Sequence, residues 1–276
     1  VKDRYRMDTI FDNYRPDIVY HAAAYKHVPI IEKSPYEGIF VNVFGTRIVA
    51  DTALRYGVDR FVMVSTDKAV NPTNVMGATK RVAELYTQSL NELGRTKFIA
   101  TRFGNVLGSN GSVVPLFRKQ IENGGPITVT HEEITRYFMT IPEACNLVLE
   151  AGAMGQGGEV FVFDMGEPVK IVDMAKKMVK LSGLELNKDI AIEITGLRPG
   201  EKLYEELLAS SENTLPTHHP KIMVAKVETY SNNAIKGHLD ILTEIMIDGD
   251  VVGMVRKVKA IVPEYISQNS EFEALD

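Results

Sequence analysis

Apolar residues recur at helical spacing in Met7-Asp-Thr-Ile-Phe-Asp-Asn-Tyr14, and Arg15-Pro16-Asp17 breaks the pattern. Ile18-Val-Tyr-His21 then reads as a short buried strand. Ser34 and Pro35 open a helix that runs to about Tyr56, where Gly57 stops it. Arg60-Phe-Val-Met-Val-Ser65 is the next strand. A helix follows from Asn74 to about Leu93, ended by Gly94, and Lys97-Phe-Ile-Ala-Thr-Arg102 is another strand. Strands alternating with helices of this length predict βαβ units, hence an α/β fold whose parallel sheet is covered on both faces.

Beyond Asn105 the spacing loosens. Helices are predicted over 113–122, 142–153 and 171–181, and short strands over 127–129, 159–164 and 190–194. Short elements between glycines and prolines predict a smaller lobe resting on the sheet. From about Leu215 the pattern is less regular, and 241–267 reads as one or two amphipathic helices. These shifts divide the chain into 1–112, a lobe at 113–230 whose strand near 159–164 rejoins the sheet, and a C-terminal helical segment at 231–276.

The 276 residues are 45% hydrophobic and 24% charged, enough for one large domain or two modest ones. A net charge of −5 with scattered lysines and arginines gives nucleic-acid binding no electrostatic support. The single cysteine, Cys145, excludes an internal disulfide and fits a reducing compartment. Within Pro142-Glu-Ala-Cys-Asn-Leu-Val-Leu149 it reads as a small buried residue rather than a catalytic thiol. No apolar run is long enough to span a membrane, and no signal peptide is visible. His218-His219 point in different directions and lack a third ligand at workable spacing, so no metal is expected. Val1-Lys-Asp-Arg-Tyr-Arg6 reads as the interior of a domain, as if a longer protein preceded it.

In an open parallel sheet, ligands bind at the carboxyl ends of the strands. Three strand ends carry unusual residues. After Ile18–His21, Ala22, Ala23 and Ala24 let a flat ligand approach the backbone, with Lys26 and His27 beyond. After the second strand comes Ser65-Thr66-Asp67-Lys68. After the third comes Phe103-Gly-Asn105-Val-Leu-Gly-Ser-Asn-Gly111, a glycine-rich loop bearing an asparagine. The G-x-G-x-x-G signature of a dinucleotide pyrophosphate site is missing. Gly155-Gln-Gly157-Gly158 follows a helix and precedes a strand, the wrong order, and reads as a turn.

His21-Ala-Ala-Ala-Tyr-Lys-His-Val-Pro29, Ser65-Thr-Asp-Lys-Ala-Val-Asn-Pro72, the helix bearing Lys80, and Arg102-Phe-Gly-Asn-Val106 resemble the extended short-chain dehydrogenase/reductase superfamily. Within it they are similar to the UDP-N-acetylglucosamine 4,6-dehydratase family of capsule and O-antigen pathways, as are Thr135-Arg-Tyr-Phe-Met-Thr140 and Gly196-Leu-Arg-Pro-Gly-Glu-Lys-Leu-Tyr-Glu-Glu206. The resemblance covers roughly residues 1 to 230. It implies a Rossmann-like parallel sheet lacking its first βαβ unit, which carries the phosphate loop and the ribose-binding strand, with a C-terminal substrate-binding lobe. It implies bound NAD or NADP, a UDP-amino sugar substrate, and a homo-oligomer whose four-helix bundle uses the helices near 35–56 and 74–93. It also implies a cytoplasmic location, at the inner face of a bacterial membrane through a segment outside this chain.

In such dehydratases, hydride leaves sugar C4, a base takes the C5 proton, an acid helps the C6 hydroxyl leave, and hydride returns to C6. By this resemblance Asp67 is the acid and Lys68 the base, with Thr66 on the C4 hydroxyl. Lys68 then needs a lowered pKa, from burial and a nearby Lys80 or Lys26, and Asp67 a raised one. Lys80 is implied to hold the nicotinamide ribose, alongside cofactor contacts from Ala22, Ala23, Ala24, Lys26, Asn42, Ser65 and Phe103. One turn before Lys80 the superfamily places a tyrosine; here stands Met76, as in the large membrane-linked subgroup. Methionine takes no proton, so Asp67 or a water on Lys80 must accept that of the C4 hydroxyl. Asn105, Arg136 and Arg198 are implied for the diphosphate region and Glu201 for a ribose hydroxyl. Two other readings remain: a 4-epimerase, which needs no acid or base at C5 and C6, and a non-catalytic binding module.

Overall fold

The computed structural model describes residues 1–208 and 213–276. The chain runs α1 (Arg4–Tyr14), β1 (Ile18–His21), α2 (Val28–Lys33), α3 (Pro35–Ile39), α4 (Thr46–Arg55), β2 (Arg60–Val64), α5 (Val75–Ser89), β3 (Lys97–Arg102) and β4 (Asn105–Val106). It continues α6 (Val113–Glu122), β5 (Ile127–Val129), β6 (Thr135–Arg136), β7 (Phe138–Met139), α7 (Ile141–Met154), β8 (Val160–Phe163), β9 (Val169–Lys170), α8 (Ile171–Leu181) and β10 (Ile192–Ile194). It ends with β11 (Asn213–Pro216), β12 (Ile222–Lys226), α9 (Asn232–Ile247) and α10 (Val251–Ile261). Among the described residues no helix is long and apolar enough to cross a membrane.

Six strands form the main sheet in the order β1-β2-β3-β8-β12-β11. The pairs from β1 to β8 are parallel, and β12 and β11 add antiparallel strands at the far side. Central β2, β3 and β8 are apolar throughout their middles because both of their faces are covered. β1 departs from the buried strand expected: Ile18 and Tyr20 are 39% and 41% exposed, because β1 is the terminal strand. β12 falls where the sequence looked irregular. Only five residues long, between Pro220 and a polar turn, it owes its strand form to pairing with β8 rather than to its own pattern.

The expected helix at 35–56 is one rod in three parts: α3, a π-helical stretch Phe40–Gly45, and α4. Every residue of α5 is buried. It lies against the sheet, α3 and α4 on one side and α9 and α10 on the other. No face of α5 is left to pair with a second copy, so the expected intersubunit bundle is not open to this helix: the chain's own C-terminal helices occupy it. α9 starts at Asn232, ahead of the expected 241, because Asn232, Asn233 and Gly237 obscure its first turns while the Ser231 side chain caps them. The buried carboxylate of α5 is compensated by neighbouring arginines. Glu84 accepts from Arg102 Nε (3.0 Å) and Nη2 (2.8 Å) and from Arg81 Nη1 (3.2 Å), and Arg81 Nε also pairs with Glu264 Oε1 (3.1 Å), so two carboxylates face two guanidiniums.

α7 covers the opposite sheet face through Ala144, Leu147, Val148 and Ala151. Cys145 lies on its outer side and is exposed, contrary to the buried position expected; the helical period turns it away from the Ala144–Val148 stripe. A third cluster, with Phe117, Ile127, Ile134, Ile171, Ala175 and Val179, forms the core of the smaller lobe. Gly157 (φ 106°) and Gly158 (φ 91°) make the tight turn into β8.

Candidate active site

A cleft of about 440 Å³ opens at the carboxyl ends of β1, β2 and β3. Its walls include Ala22, Ala24 and Lys26 after β1, Ser65, Thr66 and Lys68 after β2, Met76 and Lys80 on α5, and Phe103 and Asn105 after β3. Arg136, Arg198, Glu201 and Glu205 close the far side. The three strand ends therefore face one crevice, as the sequence suggested. Ala23, Asn42 and Asp67 do not line it. Among the described residues no cluster of His, Cys, Asp and Glu is arranged to hold a metal ion.

Asp67 and Lys68 sit in a single 3₁₀ turn after β2, capped by Thr66. Asp67 is 0% exposed, and its Oδ1 accepts from Lys68 Nζ (3.0 Å) and Thr66 Oγ1 (2.9 Å). Its Oδ2 is buried without a partner among the described residues, facing Gly104, whose lack of a side chain leaves room for it. Lys68 carries the charge of the pair into the cleft. Its Nζ also reaches Asn105 Oδ1 (3.4 Å) and Glu205 Oε1 (3.4 Å). Burial by itself would lower the Lys68 pKa, but the Asp67 and Glu205 carboxylates outweigh burial and the opposing Arg136, so the ammonium is held above its usual value. This corrects the expectation of a lowered Lys68 pKa: the flanking residues are carboxylates, and Lys26, one of the two expected cations, is itself shifted down by partial burial and by Lys68.

The Lys80 pKa is depressed too, to about 8, chiefly by burial and despite Glu84. Its Nζ donates to the Val64 carbonyl (2.7 Å), which leaves two of its three protons free. Met76, one turn earlier, fills the neighbouring wall and is nearly buried.

Asn42 holds the loop rather than facing the cleft. It lies in the π-helical stretch, accepts from Tyr25 N (2.8 Å) and donates to Tyr25 O (2.9 Å) and Thr79 Oγ1 (3.0 Å). Its whole amide is consumed in fixing the backbone behind Ala22–Ala24, so a direct cofactor contact is corrected to a supporting role. Lys26 reaches across the mouth to Ser109 Oγ (3.3 Å), and His27 packs on Gly111.

Arg136 spends its guanidinium on the chain. Nη1 donates to the carbonyls of Thr135 (2.7 Å) and Leu203 (3.3 Å), Nη2 to Lys202 O (2.8 Å) and Glu201 Oε1 (3.5 Å), and Nε faces Glu205 Oε1 (3.6 Å). It is a clamp between β6 and residues 201–205, which corrects its expected place on a diphosphate. Arg198 is exposed at the lip and makes no side-chain bond among the described residues, while its backbone N donates to Glu201 Oε2 (3.1 Å).

Four residues that matter here escaped the sequence reading. Glu205 carries no sequence signal of its own within Glu201-Lys-Leu-Tyr-Glu-Glu206, a stretch without regular secondary structure. Gly77 lets α5 approach the Lys68 carbonyl. Asn74 caps α5 (Gly77 N to Asn74 Oδ1, 2.8 Å) and ties it to Gly200 O (2.9 Å), and Gly200 packs on Asn74.

A parallel sheet with Thr66-Asp67-Lys68 at one strand end and a buried Lys80 on the next helix defines an extended short-chain dehydrogenase/reductase. The chain belongs to the polysaccharide biosynthesis protein family, whose model matches residues 1–227. It is 57% identical over 249 residues to the capsular polysaccharide biosynthesis protein CapD of Staphylococcus aureus, covering 90% of this chain and 41% of that protein. It is 36% identical to a UDP-N-acetylglucosamine 4,6-dehydratase (inverting) of Campylobacter jejuni, covering 78% of this chain and 62% of that enzyme. It is 40% identical to a UDP-glucose 4-epimerase of Rickettsia canadensis, covering 71% and 57%. The X-ray structure of Pen from Bacillus thuringiensis superposes with a TM-score of 0.74 at 33% identity, over 86% of this chain and 78% of that one. The chain thus spans well under half the length of the Staphylococcus aureus relative.

Proposed function

We propose that this chain is the catalytic part of an NAD(P)-dependent nucleotide-sugar 4,6-dehydratase acting on a UDP-N-acetyl-hexosamine for surface polysaccharide synthesis. The observation that carries the reading is the Asp67–Lys68 pair at 3.0 Å, buried on one side and open to the cleft on the other. Elimination across C5 and C6 needs a base and an acid together, and 4-epimerisation needs neither at those two carbons.

The charged resting pair also supplies both roles in one step. Transfer of a proton from Lys68 Nζ to Asp67 Oδ1, along the existing hydrogen bond, leaves a neutral amine as base and a neutral carboxyl as acid. Sugar binding drives this by excluding water, which disfavours the two separated charges. Thr66 steadies Asp67 and Asn105 steadies Lys68. Arg198, free at the lip, meets the diphosphate, and Glu201 lies beside it for a ribose hydroxyl.

The residues present fit the nicotinamide-ribose end of a dinucleotide. Ala22 and Ala24 keep one wall shallow, and Lys80 in its neutral form has one N–H left for a ribose hydroxyl beside the one on the Val64 carbonyl. When bound, the nicotinamide would take hydride from C4 and return it to C6. The hydroxyl proton at C4 goes to Lys80: a pKa of about 8 makes its neutral form accessible near neutral pH, where Met76 offers no acceptor.

The epimerase reading rests on the Rickettsia relative. Incubating the full-length protein with UDP-N-acetylglucosamine and following product mass separates the two. Loss of one water supports dehydration, and an isomer of unchanged mass supports epimerisation. Turnover unaffected by Lys68→Ala would remove the role given to the pair.

A further inference from the structure

Lys68 is approached from two walls. Asp67 holds it from its own turn, and Glu205 reaches it from the segment between β10 and β11. Glu205 is buried (side chain 3% exposed), lines the cleft, and uses one oxygen, Oε1, to face both Lys68 Nζ (3.4 Å) and Arg136 Nε (3.6 Å). Its Oε2 is buried with no hydrogen-bond partner among the described residues. A carboxylate left half-satisfied is costly, and Lys68 and Arg136 are the cations that offset it. The groups facing Lys68 are therefore Asp67 and Glu205 as anions, Arg136 and Lys26 as cations, and the Asn105 amide.

We propose that Glu205 is a positioning residue for Lys68, a second carboxylate that holds the ammonium at the cleft wall and sets how readily it gives up its proton. This deepens the dehydratase reading and rests on it for its catalytic meaning. Asp67 can receive the Lys68 proton, while Glu205, tied to Arg136, stabilises the charged form and delays transfer until substrate fills the cleft. Arg136 is the brake on Glu205: without it, the full negative charge would bear on Lys68.

The test measures Lys68 directly. The full-length protein, wild type and Glu205→Gln, is labelled with acetic anhydride across a pH series, and acetylation of the Lys68 peptide is read by mass spectrometry. Glu205→Gln should lower the Lys68 labelling midpoint by at least one pH unit, about a tenfold change in neutral amine at a fixed pH. In turnover of UDP-N-acetylglucosamine, the alkaline limb of the kcat profile, where Lys68 loses to solvent the proton it must pass to Asp67, should move to lower pH by the same amount, with KM changed less than threefold. An unmoved labelling midpoint overturns the inference even if Tm falls. If Glu205→Gln does not fold, Glu205→Asp takes its place: the shorter carboxylate draws away from Nζ, and the midpoint must fall part of the way or the inference fails. Because labelling needs no turnover, a wild type inactive on the sugar would sink the dehydratase reading while leaving this test standing.

Discussion

Gly77 on α5 lies so close to Lys68 that a methyl group on it would sit 2.0 Å from the Lys68 carbonyl oxygen. The neighbour is backbone, which cannot rotate aside. α5 and the turn bearing the acid/base pair are thus locked together through a missing side chain. Gly77→Ala should push the 67–69 turn outward and cost about 1–3 kcal/mol, the usual range for overpacking. Turnover should fall at least tenfold because Lys68 moves relative to the sugar, whereas UDP affinity, set at the far wall, should change less than threefold. Urea denaturation, steady-state kinetics and UDP titration check the three parts.

The elements legible in the sequence are those whose own pattern decides them. β2, β3 and α8 have clear apolar periods, and Val113–Glu122 and Ile171–Leu181 fall where predicted. β12 and the start of α9 were not legible, because pairing with β8 and packing on α5 decide them. The site divides the same way. Residue types at strand ends placed Thr66, Lys68 and Asn105 at the cleft, and the superfamily resemblance placed Lys80 there. Charge states were not legible, since they depend on which residue stands opposite: Glu205 lies 137 positions beyond Lys68 yet helps keep it protonated. Arg136 and Asn42 were misassigned for a related reason: sequence shows a side chain's donors, not whether the chain already uses them.

Lys80 makes stability depend on alkaline pH. Its folded pKa of about 8 lies below the ordinary 10.5, so between these values the unfolded chain binds the proton more tightly. Stability from the neutral amine is complete above 10.5 and is lost as pH falls through 8. Lys80→Met removes the term. Relative to their difference near pH 10.5, the variant should gain about 3 kcal/mol over wild type below pH 8. Urea midpoints measured for both proteins across that window check it, and parallel curves would contradict it.

His21 makes the matching prediction in acid. Its Nε2 lies 2.9 Å from Thr46 Oγ1, whose single proton goes to the Asn42 carbonyl, so Nε2 must be the donor. Burial first, then Lys80, lowers its pKa from 6.5 to about 3. Stability is therefore present above pH 6.5 and drains away as pH falls toward 3, on the order of 4 kcal/mol in all. His21→Gln keeps a donor for Thr46 and cannot titrate. Its denaturation midpoint should fall less than that of wild type between pH 7 and 4, in the same urea assay.

Residues 266–270 brace the wall of the cleft that carries Arg198 and Glu201. Ile266 N donates to Pro72 O (3.1 Å), Gln268 N to Thr73 O (3.2 Å), and Gln268 O accepts from Gly200 N (2.7 Å). Gly200 sits between Arg198 and Glu201, so this stretch pins the segment that carries both to the loop preceding α5. Ser270 secures the far end on Glu32, which also accepts from Val75 N (2.6 Å) at the start of α5. Gln268→Pro removes one donor from this pairing and restrains the backbone that bonds Gly200. Loss of about 1 kcal/mol should lower Tm by roughly 2–4 °C in a chain of this size. The loosened Gly200 segment should weaken UDP binding about three- to tenfold with little change in the Lys68 labelling midpoint, because residues 266–270 steady the phosphate end of the cleft and not the acid/base turn. Calorimetric titration with UDP, beside the labelling series, checks that separation. A shift in the midpoint with UDP affinity intact would reverse the assignment.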